Sequence, residues 1–176
     1  MREAIVRSIP VNRLVAWLVD WLVIVVWVAI VAAVGVPLFL ADITAPLTPI
    51  ALNLVAFVTL ALPVTVAFAA LESSSREASL GKRARRLRVV DSTTGLRVTF
   101  WRALVRNTLK IAVPWSIGHA AAYGFVVSSS TGAVPAGVVV VTALAYALPL
   151  LYVLYLFIGS GRTPYDRLSG TMVKRQ

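Results

Sequence analysis

Long apolar stretches alternate with short polar ones along this chain. Four of the apolar stretches approach or exceed the about 20 residues a helix needs to cross a bilayer. The first runs from about Leu14 to Leu38 and contains one charge, Asp20. The second, Ala51 to Leu71, is uncharged, and its internal Pro63 predicts a kink that neighbouring helices accommodate. The third, Thr108 to about Val127, holds Lys110 near its start and His119 near its middle. The fourth, Ala136 to Ile158, is uncharged and contains Pro149. None repeats another. A cleaved signal peptide is the rival reading of the first stretch, with Trp21 to Val34 as its apolar core, but the run is long for a signal.

The polar stretches differ in length. Ala41–Pro49 and Ser128–Pro135 read as tight polar turns. Between spans two and three lies Glu72–Asn107, and a tail, Gly159–Gln176, follows span four. Within the long segment, Leu87–Asp91 alternates and is β-branched, Ser92–Gly95 is turn-like, and Leu96–Phe100 alternates again, which predicts a short β-hairpin. Such a hairpin needs support from the helices or the membrane surface. Thr99 is placed to cap a helix running from Phe100 into span three. Trp101, Leu104 and Val105 would lie on one side of it and Arg102, Arg106 and Lys110 on another, as in an interfacial helix. The expected fold is an all-α four-transmembrane-helix bundle, a single membrane domain over residues 11–173, with the hairpin and interfacial helix between helices two and three.

Composition agrees. Of 176 residues, 59% are hydrophobic and 14% charged, against about 45–50% and about 25% in soluble domains. No cysteine is present, which excludes disulfides, thiolate metal sites and cysteine nucleophiles. One histidine and seven acids supply little for an active site, and no HExxH, phosphate-loop or Rossmann pattern occurs. No enzyme activity, cofactor or metal is therefore expected.

A net charge of +10 would suggest nucleic acid in a soluble protein. Here its placement points elsewhere. All 17 Lys and Arg fall in the N-terminal segment, in the long segment and the start of span three, or in the tail; the two turns have none. By the positive-inside rule both termini and the long segment are expected in the cytoplasm, and the chain in the cell membrane as a multi-pass protein. The basic run Lys82, Arg83, Arg85 and Arg86 would face anionic lipid headgroups, each charge contributing about 1 kcal/mol. The partners expected are the bilayer, further copies of the chain or other membrane proteins, and not nucleic acid.

Asp20 is the sharpest polar signal inside a span. Arg13, Ala16 and Asp20 share a helical face, with Asp20 about 10 Å deeper than Arg13. A central aspartate costs at least about 2.5–3.5 kcal/mol, so it should turn to the bundle interior, either as an ion or proton site or as a structural clamp. His119 lies about 13 Å beyond Lys110, at a depth similar to Asp20. An Asp20–His119 proton relay is one reading, and a simple interhelical hydrogen bond from His119 is the other. Ser116 shares a face with His119, but no nucleophile elbow accompanies it. Gly35, Gly118, Ala32 and Ala122 read as close-packing positions, and Tyr152 and Tyr155 as packing or anchoring aromatics.

Several stretches together resemble the RDD family of membrane proteins. Arg13, Ala16 and Asp20 match its R-x-x-A-x-x-x-D opening. Gly81-Lys82, then Leu87 to Asp91, then Gly95, are similar to its G-K…LRVVD…G segment. Phe100, Trp101, Arg102, Ala103, Leu104, Val105, Arg106 and Asn107 resemble F-W-R-A-L-L-R-N. Asp166, Ser169, Gly170, Thr171 and Val173 resemble D-x-x-A-G-T-x-V. These matches are collinear from Arg13 to Val173. Arg86 stands where glycine is usual, Ser169 where alanine is usual, and span three lacks the acid that many members carry; it has Pro114-Trp115 followed by His119 instead. Asp166 is a candidate for the second acid. The resemblance implies a compact multi-span domain, with cation–proton transport in some members and accessory roles in others. Two functions follow. One is a small-cation or proton transporter or transporter subunit centred on Arg13, Asp20 and His119. The other is a non-transporting scaffold or assembly factor with a basic cytoplasmic face.

Overall fold

The computed structural model describes residues 2–129 and 132–176. Ser130 and Thr131, within the second predicted turn, lie outside the described residues. The fold is mostly helical. Its four long helices are α1 (Arg2–Leu40), α2 (Pro49–Ser73), α4 (Phe100–Ser129) and α5 (Ala136–Phe157). Each is long and apolar enough to cross a membrane. Their outward faces carry large bare apolar side chains, among them Leu22, Val26, Leu54 and Leu150, as lipid-facing helices require.

Two of the spans contain a π-helical turn just before a proline, over Phe57–Ala61 and over Thr108–Ala112. Pro63 has no N–H to give the Thr59 carbonyl four residues back. Trp27 Nε1 of α1 donates to it instead, at 3.0 Å. In α4 the Val113 N–H bonds to Thr108 O, and Pro114 offers none. The Leu109 carbonyl therefore accepts from Tyr152 Oη of α5 at 2.8 Å. Each proline thus frees a carbonyl that ties its helix to a neighbour.

The third long helix begins where the sequence places it. Thr99 Oγ1 accepts from Arg102 N at 3.4 Å, and the helix begins at Phe100 and runs unbroken to Ser129. The interfacial segment and span three are one helix, as the cap at Thr99 predicts.

One end of the bundle is closed by a small cap: α3 (Leu80–Ala84), β1 (Leu87–Asp91), α6 (Pro164–Leu168) and β2 (Thr171–Arg175). The expected hairpin is not the sheet that forms. β1 pairs antiparallel with the tail strand β2, from Leu87↔Arg175 to Asp91↔Thr171. The Leu96–Phe100 segment contributes a single bridge, Val90↔Arg97. The turn before it forms as read, with Gly95 at φ +70° and its N–H on Asp91 O at 3.0 Å. Thr99 then commits the chain to α4, which leaves no length for a second strand.

Cap and bundle share one core. Ala16 of α1, Ala69 of α2, Leu87 and Val89 of β1, Val98, Ala103 of α4 and Val173 of β2 are buried together. Alanines on the helices let the strand side chains approach, and burying Leu87 or Val89 contributes about 1.5–3 kcal/mol each. Close helix packing uses other glycines than expected. Gly35 and Gly118 face open space, because no neighbouring atom lies within reach of an added Cβ. Gly124 lies against Val138, and Gly81 against Ala16.

Candidate functional site: a closed ring of buried ion pairs

The cap meets the bundle at a cluster of six buried charges. Arg13 and Asp20 come from α1, Glu72 from the end of α2, Lys82 from α3, Arg106 from α4 and Asp166 from α6; none is more than 8% exposed. Three are cations and three are anions, so the cluster is formally neutral. Burying such charges is tolerable only when each is paired and hydrogen-bonded.

The connections run in a circuit. Asp20 accepts from Ser79 Oγ at 2.7 Å and from Gly81 N at 2.8 Å, with Lys82 Nζ at 3.9 Å. Lys82 Nζ donates to Glu72 Oε1 at 2.7 Å and to Ser79 Oγ at 3.1 Å. Glu72 also accepts from Arg106 NH1 at 2.6 and 2.8 Å and from Asn107 Nδ2 at 2.9 Å. Arg106 Nε donates to Asp166 Oδ1 at 3.0 Å, and its guanidinium stands over the Tyr165 ring at 5.3 Å. Asp166 Oδ2 accepts from Arg13 NH2 at 2.6 Å and from Thr163 Oγ1 and N at 2.8 and 3.2 Å. Arg13 NH1 donates to Gly161 O at 2.6 Å. The ring therefore leaves α1 at Asp20 and returns to it at Arg13, passing through α3, α2, α4 and α6. All six carboxylate oxygens accept a hydrogen bond.

Local sequence prepares each member. Arg13, Ala16 and Asp20 share a buried face of α1, as their spacing predicts. Gly81 lets α3 touch that face: an added Cβ would stand 2.0 Å from Ala16 O. Thr163, Pro164 and Asp166 form a capping box with proline at the first helical position. Burial would raise the Asp166 carboxyl, but Arg13 and Arg106, with hydrogen bonds from Arg13 and Thr163, hold it at about 2, below its ordinary 3.8.

Several expected placements differ. Arg13 does not meet Asp20; its guanidinium turns to Asp166, 153 positions away. Asp20 is met by the cap helix and not by another span. Lys82 does not face lipid headgroups, because its ammonium is drawn inward between Glu72 and Asp20. Arg83 is half-buried, while Arg85 and Arg86 remain exposed, Arg85 donating to Asn12 Oδ1. Arg102 and Arg106 do not share a polar side: Arg106 is buried in the ring, and Arg102 pairs with Asp91 beside Gly170. Trp101 is 72% exposed, and Thr171 is buried on Ser169. His119 stands apart. It stacks on Trp115 at 3.7 Å between ring centres, and among the described residues no hydrogen bond or ion pair joins it to the ring. Ser116 gives its hydroxyl to Ala112 O of its own helix. Tyr152 anchors α4 through Leu109 O, and Arg167 lies over Tyr155.

Glu72, Ser79 and Thr163 belong to the ring and were not singled out in the sequence. Thr163 was legible as a capping box. Glu72 gave a weaker signal: an acid directly after an uncharged span, where a solvated carboxylate would do as well. Among the described residues no three His, Cys, Asp or Glu side chains converge as a metal site requires; the three acids of the ring face cations instead.

The class so defined is a four-span helical membrane bundle whose polar cap is locked on by a neutral ring of buried ion pairs. The chain matches the RDD family over residues 8–170 and belongs to it; it is a multi-pass membrane-type protein. No curated protein and no solved structure matches it.

Proposed function

We propose that this chain is a non-transporting membrane scaffold or accessory subunit. It sits in the cell membrane with both termini and the cap in the cytoplasm, carries out no catalysis, and offers its basic cap to lipid headgroups or to a partner membrane protein. The supporting observation is the closed ring. Each carboxylate that an exchanger would load and unload is already held by fixed protein donors on both oxygens. The orientation rests on the confinement of all Lys and Arg to segments at one end of the bundle.

The test is ion-driven proton movement in liposomes carrying purified wild type or Asp20→Asn, read with an internal pH dye over several cations and both gradient directions. The expected result is no flux in either, with Asp20→Asn lowering thermal stability through its lost contacts to Ser79 and Gly81. Wild-type flux that vanishes in a folded Asp20→Asn would overturn this reading and place Asp20 at the centre of an exchanger.

A further inference from the structure

On the outer side of the cap lies an open cleft of about 530 Å³, lined by Ser75, Arg76, Glu77, Arg83, Arg88 and Gln176. Its charges are unbalanced. Three guanidinium groups face one side-chain carboxylate, Glu77, which pairs loosely with Arg88 at 3.4 Å. Arg76 and Arg83 make no side-chain hydrogen bond or ion pair among the described residues, and Arg88 Nε is enclosed without a partner. The ring on the inner side of the cap is the opposite case, with every charge compensated.

The cleft also sits close to a membrane surface. Apolar helix α2 ends at Ser73, and Ser75 and Arg76 follow within one turn of chain, which is headgroup depth for a spanning helix.

We propose that this cleft is a binding site for a phosphate group, held by Arg76, Arg83 and Arg88 with the Ser75 hydroxyl beside them. Arginine presents paired N–H donors in a fixed fork that matches phosphate oxygens, and a phosphate carries enough charge and acceptors to engage several forks at once. Glu77 keeps Arg88 in place while the cleft stays net positive. The group can come from the headgroup of an anionic phospholipid or from a free phosphate in solution. The proposal gives a ligand class to the basic cap of the scaffold reading and rests on it only there; ion flux tests that reading separately.

The experiment compares three purified full-length chains in neutral detergent: wild type, Arg76→Gln/Arg83→Gln, and Arg97→Gln/Arg167→Gln. The last removes the same charge from exposed positions off the cleft. Arg76 and Arg83 have no side-chain partner to lose, so their variant keeps its fold, which thermal unfolding checks. Native mass spectrometry reads binding of phosphatidylglycerol and phosphatidylcholine, and calorimetry reads inorganic phosphate. The expected result is preference for phosphatidylglycerol over phosphatidylcholine, weakened about tenfold or more in the cleft variant and less than about twofold in the control. Lipid binding that inorganic phosphate does not displace identifies the headgroup as the source. Phosphate binding lost in the cleft variant, without lipid preference, identifies the free ion. Equal losses in both variants, or no binding of either probe by wild type, would overturn the proposal.

Discussion

Gly81 is the residue on which the joint between cap and bundle turns. Its N–H donates to Asp20, and its missing side chain makes room for the Ala16 carbonyl. Because the obstructing atom is backbone, Gly81→Ala cannot be absorbed by a rotamer change. A loss of about 3 kcal/mol is expected, at the upper end for overpacking. Gly118→Ala, facing open space, should be neutral or slightly stabilising. Thermal unfolding of both variants in detergent, followed by tryptophan fluorescence, checks the contrast. Arg86 is the converse case. It follows α3 at φ +53°, a left-handed conformation that favours glycine. The family resemblance also places glycine there. Arg86→Gly should raise stability by up to roughly 1 kcal/mol, since the relieved backbone strain exceeds glycine's added unfolded-state entropy. An unchanged or lower melting temperature would contradict that account.

Among the elements, α6 is small but decisive. Its five residues would not hold as a helix alone. The capping box, Tyr165 under Arg106 and the two ion pairs of Asp166 fix it. Asp166 titrates lower in the folded chain than its ordinary 3.8, at about 2. The folded state therefore binds the proton less readily than the unfolded one, and stability must fall as protons are added. The contribution is complete above about pH 4 and is lost as pH drops towards about 2. In Asp166→Asn that acid-dependent slope should shrink, at the cost of lower stability at neutral pH. Denaturation midpoints across this range would show it. Strand pairing at this scale was only half legible. The alternation of Leu87–Asp91 announced a strand, and nothing local announced Thr171–Arg175 as its partner. The nearer candidate, Leu96–Phe100, lost because Thr99 serves a helix.

At the scale of the molecule, the ring makes five elements, α1, α2, α3, α4 and α6, depend on one another. Arg106 is its central member, joined to both Glu72 and Asp166. Arg106→Met would leave both acids under-compensated in a buried place, and a loss of about 3–5 kcal/mol is expected. The cost should not add to that of Glu72→Gln, because each replacement disables part of the same network. Additive losses in a double-mutant cycle would show that the ring is a set of independent pairs. The same coupling gives the scaffold reading its physical content. A cap locked to three spans by compensated charge is a rigid platform, and its uncompensated arginines lie outside.

The sequence by itself determined the four spans, the concentration of positive charge at one end, the helix start at Thr99 and the common face of Arg13, Ala16 and Asp20. Those features follow from hydropathy, loop charge and helical period, which act over a few residues and need no knowledge of a distant partner. Only the tertiary structure decided that Asp20 belongs to Ser79 and Gly81, that Arg13 belongs to Asp166, that Lys82 turns inward and that the tail completes the sheet. Charge pairing and strand pairing depend on which groups are brought within hydrogen-bond reach of about 3 Å. An aspartate reads the same in sequence whether the nearest donor is seven residues away or 153. What separates the cases is the cost of leaving any of six buried charges unpaired, and that cost is set by the whole fold.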